Sequence, residues 1–443
     1  MAPNAANVNR SNSAVGGSTQ AQQPWDSDEG ITMKRKSLSS GALARHRVVG
    51  VGLLVGALLV ATTGPALANS RSAGRTSTSG NIVIGELAGS TGAFAVVGAE
   101  VFGGSQLAVN QINKTGGLLG KHVVLDNYND GGSATQASEQ FKRALSSGAV
   151  AVMGSPDEGQ AVADLASEYK IVDIGEVDEG ALTVYPNGPS KPPLPWVYST
   201  TLNGFGLGDL LADYALAHCT SLAVLHDPTT YGGGGNDGIL QTYAAAHKSK
   251  EIVLDDAVAE DWSTGTPVSL TSEIASINKS GAECVEIWLS PQDQATFVTT
   301  MHHLGYNWTI LGNDNMTQLD IFQSLAGKYA NGAIAPQLSS VVKQTPGIKA
   351  FDKLFSGTYH ITTSVNAYGA YQGTMMLAKA IQMAGSTKNT AIQAALNKLS
   401  NFCGLMGCLS FTPSQHCAIQ TGELTLVQWN ATAKTWHAVL TGK

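Results

Sequence analysis

From residue 81 onward, two patterns of hydrophobic positions alternate along the chain. Residues 82–85 form a short apolar run closed by a glycine, which is typical of a buried strand. The following segment places Val101, Ser105, Ala108 and Ile112 on one face at helical spacing. Short buried strands that alternate with helices of ten to fifteen residues predict βαβ units and a parallel sheet.

The alternation occurs twice, on either side of a proline-rich break. Five prolines lie between residues 185 and 197 and exclude regular structure there, so this segment is the clearest boundary in the chain. The pattern predicts two α/β lobes of similar size, two C-terminal helices at 367–384 and 390–399, and a final hairpin. The predicted strands are 123–125, 150–153, 171–174, 222–225, 252–254, 284–289, 310–312, 424–429 and 436–440.

The first 81 residues differ from the rest. Residues 1–32 are polar and are either disordered or precede the true start. Residues 33–68 combine a basic stretch, an apolar run at 48–61 and a small-residue site ending at Ala68, the pattern of a secretory signal peptide. The apolar run is short for a membrane span. We therefore expect cleavage after Ala68, a flexible leader at 69–81 and a secreted or extracytoplasmic protein.

The net charge and the spacing of the cysteines argue against two classes of partner, nucleic acids and metal ions. The net charge of −7 and the lack of a basic stripe argue against a nucleic-acid partner. The five cysteines show no Cys-x-x-Cys spacing, which favours disulfides over a metal site and leaves one cysteine unpaired.

No catalytic motif is present. The run from Tyr231 to Gly235 lacks the Gly-Lys-Ser/Thr ending of a phosphate loop and is interpreted as a flexible turn. The ten histidines are scattered and a nucleophile elbow is missing, so we predict neither an enzyme nor a cofactor.

A set of ordered motifs resembles the type I periplasmic solute-binding proteins, in the Leu/Ile/Val (branched-chain amino acid) branch of ABC importers. The resemblance extends from Ile82 to about Leu440. It is carried by Leu87-Ala88-Gly89-Ser90-Thr91-Gly92, Gly116-Gly117-Leu118-Leu119-Gly120-Lys121, Asn129-Asp130, His226-Asp227 with Tyr231-Gly232, His303-Leu304-Gly305 and Gly312-Asn313-Asp314.

The resemblance implies two doubly wound parallel-sheet lobes joined by three crossovers, near residues 197–200, 335–338 and 407–410. The first lobe would take 82–197 plus 337–407, and the second 200–335 plus 410–443. A small-molecule ligand would bind between the lobes at the carboxyl ends of the strands. The partner would be an ABC permease in the membrane, and the protein itself a monomer.

Two disulfides follow from that fold. The strand after Cys219 and the strand opened by Cys284 are neighbours in the expected sheet order, which favours a Cys219–Cys284 bridge. Cys403 and Cys408, near the third crossover, are the preferred second pair.

By the family pattern, five segments form the ligand site. In the first segment, the alternative to ligand binding is a serine that caps a loop and a phenylalanine that belongs to the core. In the fifth segment, the alternative is a solvated acid at the start of a helix. The candidate residues are Ser90 and Phe94; Ser155, Asp157 and Glu158; Glu176 and Asp178; Tyr231; and Gln292 or Asp293.

The second and third segments depart from the family, whose amino-acid binders use hydroxyls and backbone N–H groups there. Residues 155–158 and 176–179 together hold five acids. These acids either point to solvent or repel a ligand carboxylate. A cationic, amide-bearing or polyhydroxylated ligand therefore fits better than an ordinary α-amino acid. The alternative function is an extracellular ligand-sensing subunit of a signalling system.

Overall fold

The computed structural model describes residues 80–91, 95–154, 159–175, 181–260, 266–317 and 319–441. The predicted signal peptide, and the predicted leader up to residue 79, lie outside the described residues. Among the described residues, none of the helices is both long and apolar enough to cross a membrane.

The strands and helices alternate as the hydrophobic pattern predicts. The first half contains β1 (Ile82–Leu87), α1 (Ala95–Lys114), β2 (Val123–Tyr128), α2 (Ala134–Ser146), β3 (Ala149–Gly154), α3 (Gly159–Tyr169), β4 (Asp173–Gly175), α4 (Ala181–Val184), β5 (Val197–Ser199), α5 (Gly204–His218), β6 (Leu222–His226) and α6 (Thr230–Ala245). The second half contains β7 (Ile252–Ala257), α7 (Thr271–Ser280), β8 (Cys284–Trp288), α8 (Pro291–His303), β9 (Thr309–Gly312), α9 (Ser324–Ala326), β10 (Ile334–Leu338), α10 (Ser339–Val342), α11 (Pro346–Tyr359), α12 (Val365–Ala384), α13 (Asn389–Leu396), β11 (Phe402–Gly404), β12 (Gly407–Leu409), β13 (Leu424–Asn430) and β14 (Thr435–Thr441).

The first lobe is built on a parallel sheet in the order β2-β1-β3-β4-β5. Its strands are short apolar runs that are buried on both faces, as parallel strands covered by helices must be. Helix α1 packs closely on α12, and a Cβ on Gly104 would lie 2.3 Å from the backbone oxygen of Ala367. Only glycine permits that approach, so the pair of helices is fixed at one separation.

The second lobe is built on a seven-stranded sheet in the order β14-β13-β10-β9-β8-β6-β7. Strands β6 to β10 run parallel, whereas β13 and β14 form the predicted hairpin and join the sheet antiparallel to β10. The α/β class and the parallel order of the central strands agree with the sequence-based prediction.

The chain passes between the two sheets three times. The first passage follows β5 and the second follows β10. The third begins after Cys417, beyond the expected 407–410, because residues up to Cys417 pack on the first lobe. There the Ser199 N–H donates to the His416 carbonyl (2.8 Å), and the His416 ring stacks on Tyr198 with centroids 4.0 Å apart.

The proline-rich segment lies within the first lobe. The Leu194 N–H donates to the Val184 carbonyl at 2.9 Å, and the segment leads into β5, which pairs with β4. The lobes therefore separate after this last strand and not at the prolines themselves.

Both predicted disulfides are present. Cys219, at the C-terminal end of α5, is bonded to Cys284, the first residue of β8, with Cα atoms 6.0 Å apart. Cys403 and Cys408 are opposite each other in the β11–β12 hairpin and are also bonded. Cys417 is buried and takes part in neither disulfide.

The glycine run is helical, which corrects its interpretation as a flexible turn. Residues 232–235 lie in the first turns of α6. A Cβ on Gly235 would lie 2.2 Å from the indole ring of Trp288, and a Cβ on Gly208 in α5 would lie 2.2 Å from the Gly235 carbonyl oxygen. The run therefore serves close packing of α6 on β8 and α5.

Candidate functional site

The carboxyl edge of the second sheet gathers acidic side chains and the N-termini of two helices. An acid follows each of four neighbouring strands, and α6 and α8 both begin at this edge. Parallel strands end at the same edge, so topology alone brings these residues together. The acids are Asp227 after β6, Glu260 after β7, Asp293 after β8 and Asp314 after β9.

Three of these acids form one cluster, the acidic cluster of Asp227, Glu260 and Asp293. The Ser290 N–H donates to Glu260 Oε1 (2.8 Å), and the Ser290 hydroxyl donates to Asp293 Oδ2 (3.1 Å). The Val268 N–H donates to Asp293 Oδ1 at 2.7 Å. Asp293 is 3% exposed, so it is not the solvated helix-start acid of the alternative interpretation.

Protonation reduces the negative charge of the acidic cluster. Burial raises the pKa of Glu260 to about 9, with further increases from its hydrogen bond with Asp293 and from the charge of Asp227, against the lowering effect of Ser290. Burial also raises the pKa of Asp227, although hydrogen bonds from Thr229 oppose the shift. At neutral pH Glu260 therefore keeps its proton.

Amide side chains hold the loop that carries Asp314. The Gln294 amide donates to the Leu289 carbonyl (2.8 Å) and to Asn313 Oδ1 (2.7 Å), and the Asn313 amide donates to the Leu289 carbonyl (3.1 Å). Asp314 begins a short 3-10 helix and is 3% exposed. The loop that leads to Asp314 is thus held by the side chains of Gln294 and Asn313, which are themselves buried.

The corresponding edge of the first lobe carries small polar groups. The Ser90 N–H donates to Asn129 Oδ1 (2.8 Å), and the Asn129 amide donates to the Thr91 hydroxyl (3.0 Å). These bonds join the loops after β1 and β2. The exposed Ser90 is therefore presented on a braced loop at this edge.

The two carboxyl edges face each other. Helix α4, which follows β4 of the first lobe, packs on α6 of the second. A Cβ on Gly233 would lie in ordinary contact distance, 3.4 Å, from Leu182 Cδ1. The space between the edges is a cleft between lobes, where ligands bind in open α/β sheets.

The predicted site residues are only partly described. Gln292, half-buried, and Asp293 lie in the first turn of α8. Tyr231 lies in the first turn of α6, and its side chain is outside the described residues. Also outside them are Phe94, Ser155, Asp157, Glu158, Glu176 and Asp178.

Sequence reasoning did not select Asp227, Glu260 or Asp314 for the site. Asp227 and Asp314 directly follow predicted strands, and this position could have identified them. Glu260 comes three residues after β7 in an irregular loop, with no pattern that marks it. Within the described part of the chain, no group of three or more His, Cys, Asp or Glu side chains is placed to hold a metal ion.

Replacing Glu260 with glutamine is expected to flatten the decline of stability with rising pH. Between its ordinary pKa of 4.5 and its folded-state pKa of about 9, the folded chain holds a proton that the unfolded chain has lost. The contribution of Glu260 to the free energy of unfolding is fully present below pH 4.5 and is lost as the pH rises through about 9. Chemical denaturation at pH 5, 7 and 9 measures the effect.

The control is Glu168→Gln, which changes an exposed glutamate on α3. Burial raises the pKa of Glu286 as well, but Glu286 is present in both variants. The difference between the two variants therefore reports on Glu260 alone. An equal pH slope in the Glu260→Gln and Glu168→Gln chains would contradict the raised pKa of Glu260.

Comparison with known proteins supports the architecture. Residues 81–434 match the model of a family described as periplasmic binding protein. The Leu/Ile/Val-binding protein BraC3 of Rhizobium johnstonii is 26% identical over 368 residues, which cover 79% of this chain and 92% of that protein.

Two solved structures share the fold. One is the branched-chain amino acid transporter substrate binding protein LivJ from Streptococcus pneumoniae in complex with isoleucine, with 19% identity, a TM-score of 0.68, and 82% of this chain and 100% of that one covered. The other is a solute binding protein of an ABC transporter from R. palustris in complex with benzoate, with 18% identity, a TM-score of 0.68, and coverage of 82% and 96%.

Proposed function

Because this chain belongs to the periplasmic binding protein family, we propose that it captures a small polar molecule between its two lobes and delivers it to an ABC permease. Such proteins bind and release solutes and are not enzymes. The observation that carries the proposal is the pair of facing carboxyl edges, with α6 and α8 beginning at one of them. The protein would act as a monomer outside the cytoplasm, after cleavage behind Ala68.

The proposed ligand carries a cationic, amide or polyhydroxylated group and is not an ordinary aliphatic α-amino acid. The acidic cluster supports this choice because buried carboxylates favour a ligand that supplies positive charge or hydrogen-bond donors. The five acids of segments 155–158 and 176–179 add to the same preference. The named ligands of the relatives, amino acids and benzoate, show that this fold accommodates chemically different solutes.

A ligand panel tests the proposal by calorimetry and thermal shift on the mature chain. The panel contains leucine, isoleucine, valine, benzoate, putrescine, agmatine, glycerol and inositol. We expect a cationic or polyhydroxylated member to raise Tm, and Asp293→Asn to weaken its binding at least tenfold, because removing one partner of a buried charge contact costs more than 1.4 kcal/mol.

The matched control is Asp213→Asn on α5, an exposed acid that is remote from the cleft edge. Binding of leucine or valine without any response to cations or polyols would overturn the ligand class. Ligand binding that is insensitive to Asp293→Asn would instead argue against the acidic cluster as part of the site.

A further inference from the structure

A separate cavity of about 340 Å³ lies at the opposite end of the second lobe, where strands β9 and β10 begin. We call it the amino-edge pocket; Trp308, Thr309 and Gly332 are among its lining residues. Strand β9 runs from Thr309 at the pocket to Gly312 at the cleft edge, a distance of roughly 10 Å along the strand. The amino-edge pocket is thus distinct from the cleft.

The pocket opens because two neighbouring strands separate at their starts. Strands β9 and β10 are paired only at Leu311 and Ile334. The chain before β10 turns toward β13 instead, where the Gly332 N–H donates to the Trp429 carbonyl and the Trp429 N–H donates to the Ala333 carbonyl, both at 2.9 Å. The gap lies between α5 and α8, which both contribute lining residues.

Aromatic rings line one part of the pocket and are held in place by contacts with neighbouring rings. Trp308 stacks on Tyr306 with centroids 4.8 Å apart and planes 11° apart. Tyr329 stacks on His302 at 5.3 Å, and its hydroxyl lies 3.2 Å from Nε2 of His303. These half-buried rings therefore offer fixed surfaces to a ligand at little cost in side-chain entropy.

Amide side chains also line the pocket, beside apolar side chains such as Val298, Met301 and Ile310. Asn331 Oδ1 accepts the Ala431 N–H (3.0 Å), which leaves the Asn331 NH₂ for a ligand. Gln428 Nε2 donates to the Gly332 carbonyl (3.1 Å), which leaves its own carbonyl oxygen. Asn307 is exposed at the rim. The pocket lining contains no Asp, Glu, Lys or Arg.

The aromatic rings and amides of the amino-edge pocket together determine which class of ligand fits it. A charged ligand would lack a counter-charge, and a purely apolar one would leave the amides unpaired at a cost. Aromatic ring faces pack against apolar C–H surfaces of a ligand. Amides form hydrogen bonds with hydroxyls, which can both donate and accept. The volume is at the lower end of the range for small-ligand sites. We propose that the amino-edge pocket binds one neutral saccharide unit, independently of the cleft ligand.

The test uses calorimetry on the mature chain with glucose, galactose, mannose and N-acetylglucosamine, and retention of the chain on insoluble cellulose and chitin. We expect at least one of these to bind. Trp308→Ala should weaken binding at least tenfold through loss of the ring face. Asn307→Ala should weaken it about three- to tenfold, the effect of one lost hydrogen bond.

Controls separate the pocket from other parts of the molecule. Asn278→Ala changes an exposed asparagine on α7 outside the pocket and should leave saccharide binding unchanged, as should Asp293→Asn in the cleft. Asn307 is exposed, so its variant remains informative even if Trp308→Ala impairs folding. Binding to monosaccharides identifies a free sugar as the occupant, and retention on the polymer alone identifies a glycan end; both support the proposal.

Three results would overturn it. The first is no binding of any of these sugars at millimolar concentration together with no retention on either polymer. The second is saccharide binding that Asp293→Asn abolishes and that neither pocket variant changes, which places the sugar in the cleft. The third is binding of adenosine or benzoate, sensitive to Trp308→Ala, in place of any sugar.

Discussion

Removal of the Cys219–Cys284 disulfide by a double change to alanine is expected to lower the free energy of unfolding by about 4 kcal/mol. The bond closes a loop of 65 residues, and opening so long a loop returns much conformational freedom to the unfolded chain. Both cysteines are buried, so alanine is preferred to serine, whose hydroxyl would need a partner. Denaturant unfolding at pH 7 gives the value.

The second disulfide provides the matched control. Cys403 and Cys408 are five residues apart and exposed, so the same reasoning gives a loss of about 2 kcal/mol for their double change to alanine. Equal losses in the two double variants would show that loop length does not determine the effect. No loss on removing the longer loop would contradict the bond's role in stability.

Replacing Gly235 with alanine is expected to destabilise the fold by about 2–3 kcal/mol, the cost of overpacking a well-filled core. The added Cβ would lie 2.2 Å from the ring of Trp288, which is fully buried and cannot move away freely. Helix α6 would have to shift, and α5 opposes that shift because Gly208 packs on the Gly235 carbonyl. Thermal and denaturant unfolding both report the loss.

Gly233→Ala is the control in the same helix. Its Cβ would meet only Leu182 Cδ1, at 3.4 Å, so a gain of about 0.5–1 kcal/mol from the helix preference of alanine is expected. The two variants thus differ in the sign of their effect on stability, although they add the same atom two residues apart in one helix. Similar changes in both would refute close packing as the reason for the glycine run.

The strand positions could be predicted because most of the central strands are short, mainly apolar runs, which a parallel strand covered on both faces needs. Leu222–His226 and Cys284–Trp288 are examples. The Cys219–Cys284 pair followed from the order of these strands in the expected fold. The sequence predicts the later part of α6, near residues 237–246, but not its first turns, because glycine disfavours helices. Only the space between Trp288 and α5 explains the use of glycine there.

Glu260 shows why the site could be predicted only in part. It approaches Ser290 and Asp293 across a loop, and the sequence contains no periodicity that records this contact. The third passage between lobes was likewise expected too early, because the hydrogen bond between Ser199 and His416 joins residues far apart in the chain. Both features depend on contacts between distant segments.

The sequence by itself determined the alternation of strands and helices, the α/β class and the family resemblance, because these depend on local spacing and the order of motifs. The tertiary structure decided which acid keeps its proton at neutral pH, where the chain changes lobe, and that β9 and β10 separate to form the amino-edge pocket. The physical reason is that burial and hydrogen-bond partners are properties of the packed chain. Neighbouring residues in the sequence do not specify them.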